Sequence, residues 1–216
     1  MKTFIATITL FVAAIVPVKA DDWAVYRVTI TNATTHHVIT PPLITTHNNK
    51  FRIFEVTAAA SDGLVTQAET GDPRPLKLEV VNSRGVYDVV EGSDVVLYGT
   101  SANYDIRAPK KGRISMTAML ATTNDAFTAL NSVALPKRSA QYFAYTYDAG
   151  SELNNESCSH IPGPPCSPES GNARTETGEG FITLHNGIQG GSDLNPKQLD
   201  WRGPVAVVTI TRVHDE

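Results

Sequence analysis

The sequence of 216 residues is short of positive charge and of aromatic side chains. Its 18 lysine and arginine residues face 22 aspartate and glutamate residues, so the formal net charge is −4. Because nucleic acids are polyanions that proteins bind largely through basic side chains, this balance argues against a nucleic-acid partner. Aromatic residues make up only 7% of the chain, which disfavours a long carbohydrate groove built from stacked rings.

After residue 20 the sequence has no apolar run long enough to cross a membrane. The earlier run, Phe4–Val18, is interrupted by Pro17 and is followed by the small residue Ala20. This pattern is typical of a secretory signal peptide that is cleaved after Ala20. A membrane anchor is disfavoured because a spanning helix needs about 20 predominantly apolar residues. We predict a signal peptide over residues 1–20, a single domain over residues 21–216, and a protein that is secreted, periplasmic or at the cell surface.

Cysteine is scarce, and its two residues lie close together. Cys158 and Cys166 are eight positions apart. An exported protein meets an oxidising compartment, where a disulfide is the expected state of such a pair. Free thiols and a metal site are the alternatives, although a two-cysteine metal site would need histidines at short spacing and only His160 is near. We predict a Cys158–Cys166 disulfide that pins a long surface loop from Ser151 to Glu179.

Alternation of apolar and polar residues is the clearest structural signal in the chain. It is strong in Tyr26–Thr31, Arg113–Leu120 and Val205–Arg212, where β-branched residues dominate. We expect the first and last of these strands to be neighbours that tie the two ends of the domain together. Weaker strand candidates are Phe51–Val56, Leu76–Val81, Val95–Gly99, Ala140–Tyr147 and Gly180–Leu184.

Helix signals are few. Residues 61–69 are predicted to form two helical turns, with Ser61 or Asp62 as the N-cap and Gly71-Asp72-Pro73 as the stop. One more turn is predicted over Asn124–Leu130. Eight or so short strands with one or two short helices predict an all-β fold, an antiparallel β-sandwich.

Three acidic residues lie in two loops that follow strand candidates. Asp148 and Glu152 are four positions apart after the strand Ala140–Tyr147, and Asp125 follows the strand that ends near Leu120. Neighbouring strands of a sandwich can deliver both loops to the same end. Because no lysine or arginine occurs at 121–136 or 139–173, three converging carboxylates would need a cation, and hard oxygen ligands suit calcium. From spacing alone, ordinary solvated loop acids are the plainer interpretation.

Familiar catalytic motifs are missing from the sequence. It contains no EF-hand loop, no H-E-x-x-H, no G-x-S-x-G and no P-loop. Paired acids can serve a glycosidase, but a carboxylate-dependent hydrolase would still lack a base, a nucleophile and an aromatic platform here. The six histidines are interpreted as packing or surface residues, and no catalytic residue is assigned.

Four segments together resemble the spondin N-terminal (F-spondin) domain family. They are Phe51–Glu55 leading to the A-S-D-G turn at Ala60–Gly63, the loop Thr123–Phe127, the Y-D-A-G-S-E loop Tyr147–Glu152, and the closing strand Pro204–Arg212. These matches run from about Ala24 to Arg212. Animal members of the family carry neighbouring reeler and thrombospondin-type repeats, whereas this chain resembles the stand-alone bacterial form.

The resemblance implies a C2-like sandwich that holds one calcium ion through Asp125, Asp148 and Glu152. Animal members have aspartate where this chain has Glu152, which is one methylene longer. The expected function is an exported, monomeric, non-enzymatic calcium-binding module for adhesion or recognition of a protein, glycan or lipid surface. The alternative is calcium-dependent phospholipid binding, for which Phe127 and Leu130 are the candidate apolar residues at the loop tips.

Overall fold

A computed structural model describes residues 22–166, 174–175 and 178–215. The predicted signal peptide, residues 1–20, lies outside the described residues. The described part is mostly antiparallel β-sheet with a few short helices, which confirms the predicted all-β class, while the C2-like label stays a prediction. None of the helices in these ranges is long and apolar enough to cross a membrane.

The described residues form nine strands and three helices. In chain order they are β1 (Trp23–Asn32), β2 (Leu43–His47), α1 (Asp62–Thr70), α2 (Arg74–Val81), β3 (Val86–Glu91), β4 (Ser101–Pro109), β5 (Arg113–Met119), β6 (Ala126–Ala134), β7 (Ser139–Asp148), β8 (Thr183–Leu184), α3 (Pro196–Leu199) and β9 (Ala206–Asp215). The hydrogen-bonded order is β3-β2-β5-β6-β7-β9-β1-β4, with β8 paired to β7. Every pairing is antiparallel.

Strand β7 joins the two halves of the sandwich. Its first part, 139–144, pairs with β9, and its last part, 145–148, pairs with β6. The two ends of the strand order also approach each other, since the backbone N–H of Arg107 in β4 donates to the Asp88 carboxylate in β3 over 2.9 Å. The sheet is therefore nearly closed around its core.

The predicted pairing of the first and last strands is confirmed. Ala24 in β1 lies opposite Asp215 in β9, and Asn32 lies opposite Ala206. The apolar face of β1 is fully buried at Tyr26, Val28 and Ile30, as alternation predicts.

Helix α1 begins and ends where the sequence predicts. The Ser61 hydroxyl accepts a hydrogen bond from the N–H of Leu64 (3.3 Å), so Ser61 is the N-cap. Gly71 ends the helix with φ of 76°, a left-handed conformation that glycine adopts without a steric cost.

Several of the weaker strand predictions were wrong. Leu76–Val81 belongs to helix α2, whose buried residues Leu76 and Val80 lie four positions apart on one helical face. Phe51–Val56 forms no strand, Val95–Gly99 contributes only a bridge at Val96, and Gly180–Leu184 is a strand only at its last two residues. Ala140–Tyr147, by contrast, lies within β7 as predicted.

The predicted helical turn at Asn124–Leu130 was also wrong, because this segment enters strand β6. The first five residues of β6 are all buried. A strand that is covered on both faces shows no polar alternation, so its sequence lacks the period-two signal. Strands β2, β3 and β4 were likewise not predicted.

The Cys158–Cys166 disulfide is present, which excludes the free-thiol and metal alternatives for this pair. It lies beside a small apolar cluster formed by Ile161, Ile188, Leu194 and Leu199. Such a bond is typical of oxidising, extracellular compartments.

Candidate metal-binding site

The two acidic loops meet at one end of the β6–β7 pair. Asp125 immediately precedes Ala126, and Ala126 pairs with Asp148 at the end of β7. The N–H of Ala149 donates to the carbonyl oxygen of Asp125 over 3.2 Å. Because antiparallel neighbours place the start of one strand beside the end of the other, Asp125 and Asp148 lie together as the sequence predicts.

Asp125 is fully buried, and its two carboxylate oxygens differ sharply. Oδ2 accepts three hydrogen bonds, from the N–H and hydroxyl of Ser151 (2.8 and 3.0 Å) and from the N–H of Glu152 (3.0 Å). Oδ1 is buried and has no hydrogen-bond partner. An unpaired buried carboxylate oxygen is costly, so this atom lacks a donor or a cation that would stabilise it.

The pKa values of Asp125 and Asp148 reflect this lack of stabilising partners. Burial, together with the nearby Asp148 carboxylate, raises the pKa of Asp125 to about 7, and the three donors at Oδ2 offset only part of the rise. Burial also raises the pKa of Asp148, although Asn154 and the N–H of Gly150 donate to its oxygens. Both carboxyl groups therefore resist ionisation unless positive charge is supplied.

Glu152 reaches the pair through its backbone rather than its carboxylate. Its N–H donates to Asp125, whereas its side-chain Oε1 accepts from the N–H of Thr175 over 3.2 Å. Burial raises the pKa of the Glu152 carboxyl group, and the negative charge of Glu69 raises it further. Arg174 forms an ion pair with Glu69 at 2.6 Å.

The structure thus brings Asp125 and Asp148 together and turns the Glu152 carboxylate to other partners. Within the described ranges, no group of three or more histidine, cysteine, aspartate or glutamate side chains is arranged to hold a metal ion. The three-carboxylate calcium site stays a prediction. What fits a hard cation is the unpaired Oδ1 of Asp125 in a carboxyl group close to that of Asp148, since both residues supply hard oxygen donors.

Gly150 holds the acidic loop against a neighbouring segment. Its φ is 70°, and a Cβ there would lie 2.4 Å from the carbonyl oxygen of Phe181. Gly99 has the same φ of 70° with no atom within 4 Å of its Cβ position. Only the first glycine is therefore required for close packing.

Replacing Gly150 with alanine is expected to lower the free energy of unfolding by about 2–4 kcal/mol, because backbone strain and a collision add together. The matched change Gly99→Ala should cost only about 1 kcal/mol, from the strain alone. Urea denaturation of both variants measures the difference. Equal losses in the two variants would show that Gly150 serves the turn conformation only.

Glu156 is a buried acid that the sequence analysis missed. It is 5% exposed, and its carboxylate accepts hydrogen bonds from the backbone N–H groups of Gln189, Gly190 and Gly191. The signal that could have found it is the Gly190-Gly191 pair, since glycine leaves the backbone open to a close approach. Glu156 holds the 189–191 segment and has no oxygen without a donor, so it is a structural residue.

Two histidines are buried packing residues, in line with the sequence analysis. The ring nitrogens of His37 lie 2.9 Å from the carbonyl oxygen of Ala121 and 2.6 Å from that of Leu199. His47 Nε2 lies 2.9 Å from the hydroxyl oxygen of Ser115, a distance that a base and a nucleophile could share. Because both His47 and Ser115 are fully buried, no substrate reaches them.

The apolar residues proposed for the loop tips lie elsewhere. Phe127 is fully buried and Leu130 is 6% exposed, so both belong to the core. The exposed apolar side chains near the acidic loop are Leu153, which follows Glu152, and Phe181, whose backbone packs on Gly150.

Comparison with known proteins adds no family assignment. No protein-family model matches the chain, and no curated protein matches it either. The resemblance to the spondin N-terminal domain stays a prediction from the four segments described above.

Proposed function

We propose that this chain is an exported calcium-binding β-sandwich module that acts in adhesion or recognition. The observation that carries the proposal is the buried Oδ1 of Asp125, which has no hydrogen-bond partner and belongs to a carboxyl group that burial and the nearby Asp148 carboxylate keep from ionising. The Cys158–Cys166 disulfide supports an oxidising, extracellular location.

Asp125 and Asp148 would hold the ion, and Glu152 would join them if its side chain left Thr175. A bound calcium ion would supply the positive charge that the two buried carboxylates lack, and it accepts backbone carbonyl oxygens and water as further ligands. Asp125 already orients the loop by accepting from the N–H groups of Ser151 and Glu152. The ion and these hydrogen bonds would together fix the loop in one conformation.

Calorimetry and thermal melts test this proposal directly. At a calcium concentration about 100 times the dissociation constant, binding to the native state should add about 2.7 kcal/mol of stability. For a domain of this size, we expect the melting temperature to rise by roughly 5–10 °C relative to protein in EDTA. An unchanged melting temperature, together with no heat of calcium binding, would remove the proposal.

Recognition is favoured over catalysis by the burial of the acids. Asp125 is fully buried and Asp148 is 3% exposed, so neither is placed to exchange protons with a bound substrate. The partner could be a protein, a glycan or a lipid surface. A partner would therefore contact the exposed part of the loop that the ion holds in one conformation, such as Leu153, rather than the buried ligands of the ion.

Calcium-dependent phospholipid binding is the second candidate, and one observation favours it. Leu153, Phe181 and Leu184 are 49%, 42% and 61% exposed, and all three follow or pair with residues of the acidic loop and β7. Apolar side chains beside a calcium site can enter the headgroup region of a membrane. Sedimentation with phosphatidylserine vesicles in calcium and in EDTA separates this function from recognition of a soluble partner.

A further inference from the structure

A shallow polar groove is lined by residues outside the acidic loops. It has a volume of about 440 Å³ and runs between the segment after β2 and the turn that joins α2 to β3. Three of its lining residues are cations, namely Lys50, Arg52 and Arg84, and all three are exposed. Glu55 is the acid among the lining residues.

None of these three cations forms an ion pair with any residue that the structure describes. The Arg52 guanidinium is nevertheless held in place, because its NH1 group donates to the carbonyl oxygens of Asn49 (3.0 Å) and Phe51 (2.8 Å). A guanidinium that is already oriented loses less conformational freedom when it binds a ligand.

The turn that carries Arg84 is docked firmly on the segment that carries Lys50. The N–H of Asn48 donates to the carbonyl oxygen of Gly85 (2.8 Å), and the Asn48 side chain accepts from the N–H of Lys50 (2.9 Å). Gly85 has φ of 95°, and a Cβ there would lie 2.4 Å from the Asn48 side chain. This close contact keeps Lys50 and Arg84 on the same groove.

The cluster is unusual because the whole chain has a formal net charge of −4. Three like charges around one groove repel each other unless an anion neutralises them. The charge of Arg52 also reaches the interior, since it adds to the lowering of the His47 pKa that burial causes.

We propose that this groove binds a tetrahedral oxyanion, the phosphate or sulfate monoester group of a ligand. The planar guanidinium of Arg52 matches such a group with two parallel hydrogen bonds, while Lys50 on the same segment and Arg84 on the facing turn add positive charge. The Glu55 carboxylate opposes binding and sets its strength. This site is independent of the calcium proposal.

Isothermal titration at low salt tests the site with inorganic phosphate and a heparin-derived sulfated disaccharide as probes. We expect saturable binding by the wild type and a loss of affinity of at least about tenfold in Lys50→Gln/Arg84→Gln, because charge-assisted hydrogen bonds disappear. Glu55→Gln should bind more tightly, since it removes a like charge to the anion. The matched change Lys137→Gln/Arg138→Gln removes two exposed cations outside the groove and should leave affinity unchanged.

Vesicles that contain phosphatidic acid identify the source of the oxyanion. Vesicle binding that is lost in Lys50→Gln/Arg84→Gln, without binding of the soluble probes, assigns the groove to a lipid headgroup; binding of the sulfated disaccharide assigns it to a soluble ester. The proposal is overturned if the wild type binds neither soluble probes nor vesicles. It is also overturned if the Lys50→Gln/Arg84→Gln variant, melting like the wild type, binds as the wild type does.

Discussion

Replacing Asp125 with asparagine is expected to stabilise the metal-free protein at pH 7.5 and to abolish stabilisation by calcium. The asparagine Oδ1 can accept the three hydrogen bonds that Oδ2 of Asp125 accepts from Ser151 and Glu152. Its NH₂ group would then occupy the position of the unpaired Oδ1, and the residue would carry no negative charge near Asp148. The change removes a buried like-charge repulsion and a calcium ligand at the same time.

The pH dependence of this effect has a defined sign. The folded-state pKa of Asp125 is raised from 3.8 to about 7, so the folded protein binds more protons than the unfolded chain between these values. The contribution of Asp125 to the stability of the metal-free protein is therefore fully present below pH 4. It is lost as the pH rises through 7, and the loss amounts to up to about 4 kcal/mol. The raised pKa values of Asp148 and Glu152 act in the same direction.

His185 makes the stability of the protein depend on pH in the opposite direction. Burial lowers its pKa to about 4, so its contribution to stability is present above pH 6.5 and is lost as pH falls towards 4. The difference in the free energy of unfolding between Asp125→Asn and the wild type is free of this effect, because both proteins contain His185. Denaturation in EDTA from pH 4 to 8 should therefore give a difference that grows with pH.

The matched control is Asp94→Asn, which removes an exposed aspartate whose carboxylate accepts from the Ser93 hydroxyl. It should leave both the calcium effect and the pH profile of the wild type intact. If Asp125→Asn were less stable than the wild type at every pH, the buried Oδ1 would already have a partner, and the basis for the calcium site would be lost.

Replacing Glu156 with alanine is expected to lower the free energy of unfolding by about 3 kcal/mol or more. Three backbone N–H groups, of Gln189, Gly190 and Gly191, would lose their acceptor, and buried hydrogen bonds to a charged group are among the strongest in proteins. Glu156→Gln should fall between alanine and the wild type, because the amide oxygen accepts without a full charge. Urea denaturation measures each loss.

Hydrogen exchange adds a local test for Glu156. The amides of Gly190 and Gly191 should exchange faster in Glu156→Ala, since their acceptor is gone. The exposed glutamate Glu55 serves as control, and Glu55→Ala should change stability by less than about 0.5 kcal/mol. A loss in Glu156→Ala no larger than that of the control would mean that the 189–191 segment holds its conformation without Glu156.

The strands that the sequence predicts well are those with one covered face and one exposed face. Over residues 26–31 of β1 and 208–211 of β9 the inward residues are apolar and the outward residues are polar, so alternation identifies these strands. In β6 both faces are covered, and in α2 the β-branched residues of a short helix imitate a strand. Tertiary packing determines whether these segments become strand or helix, and the local sequence pattern carries no information about that packing.

The same division holds for the candidate site. Asp125 and Asp148 meet because β6, which begins directly after Asp125, pairs with the end of β7. The sequence predicts only that the two loops reach the same end of the sandwich, since it does not identify β6 as a strand. The Glu152 carboxylate accepts from the N–H of Thr175, 23 positions further along the chain, and also contacts the Asn124 side chain. Contacts of this kind arise only when the loop folds back, so the spacing of acids in the sequence does not predict them.

The pairing of β1 with β9 determines how the domain would respond to tension. Ala24, near the start of β1, lies opposite Asp215, at the end of β9, so a force applied to both termini loads one inter-strand bond at a time. The hydrogen bonds between the two strands would break one after another, which needs far less force than breaking them together by sliding the strands along each other. A module built in this way suits attachment by a single tether better than a load-bearing place in the middle of a stretched chain.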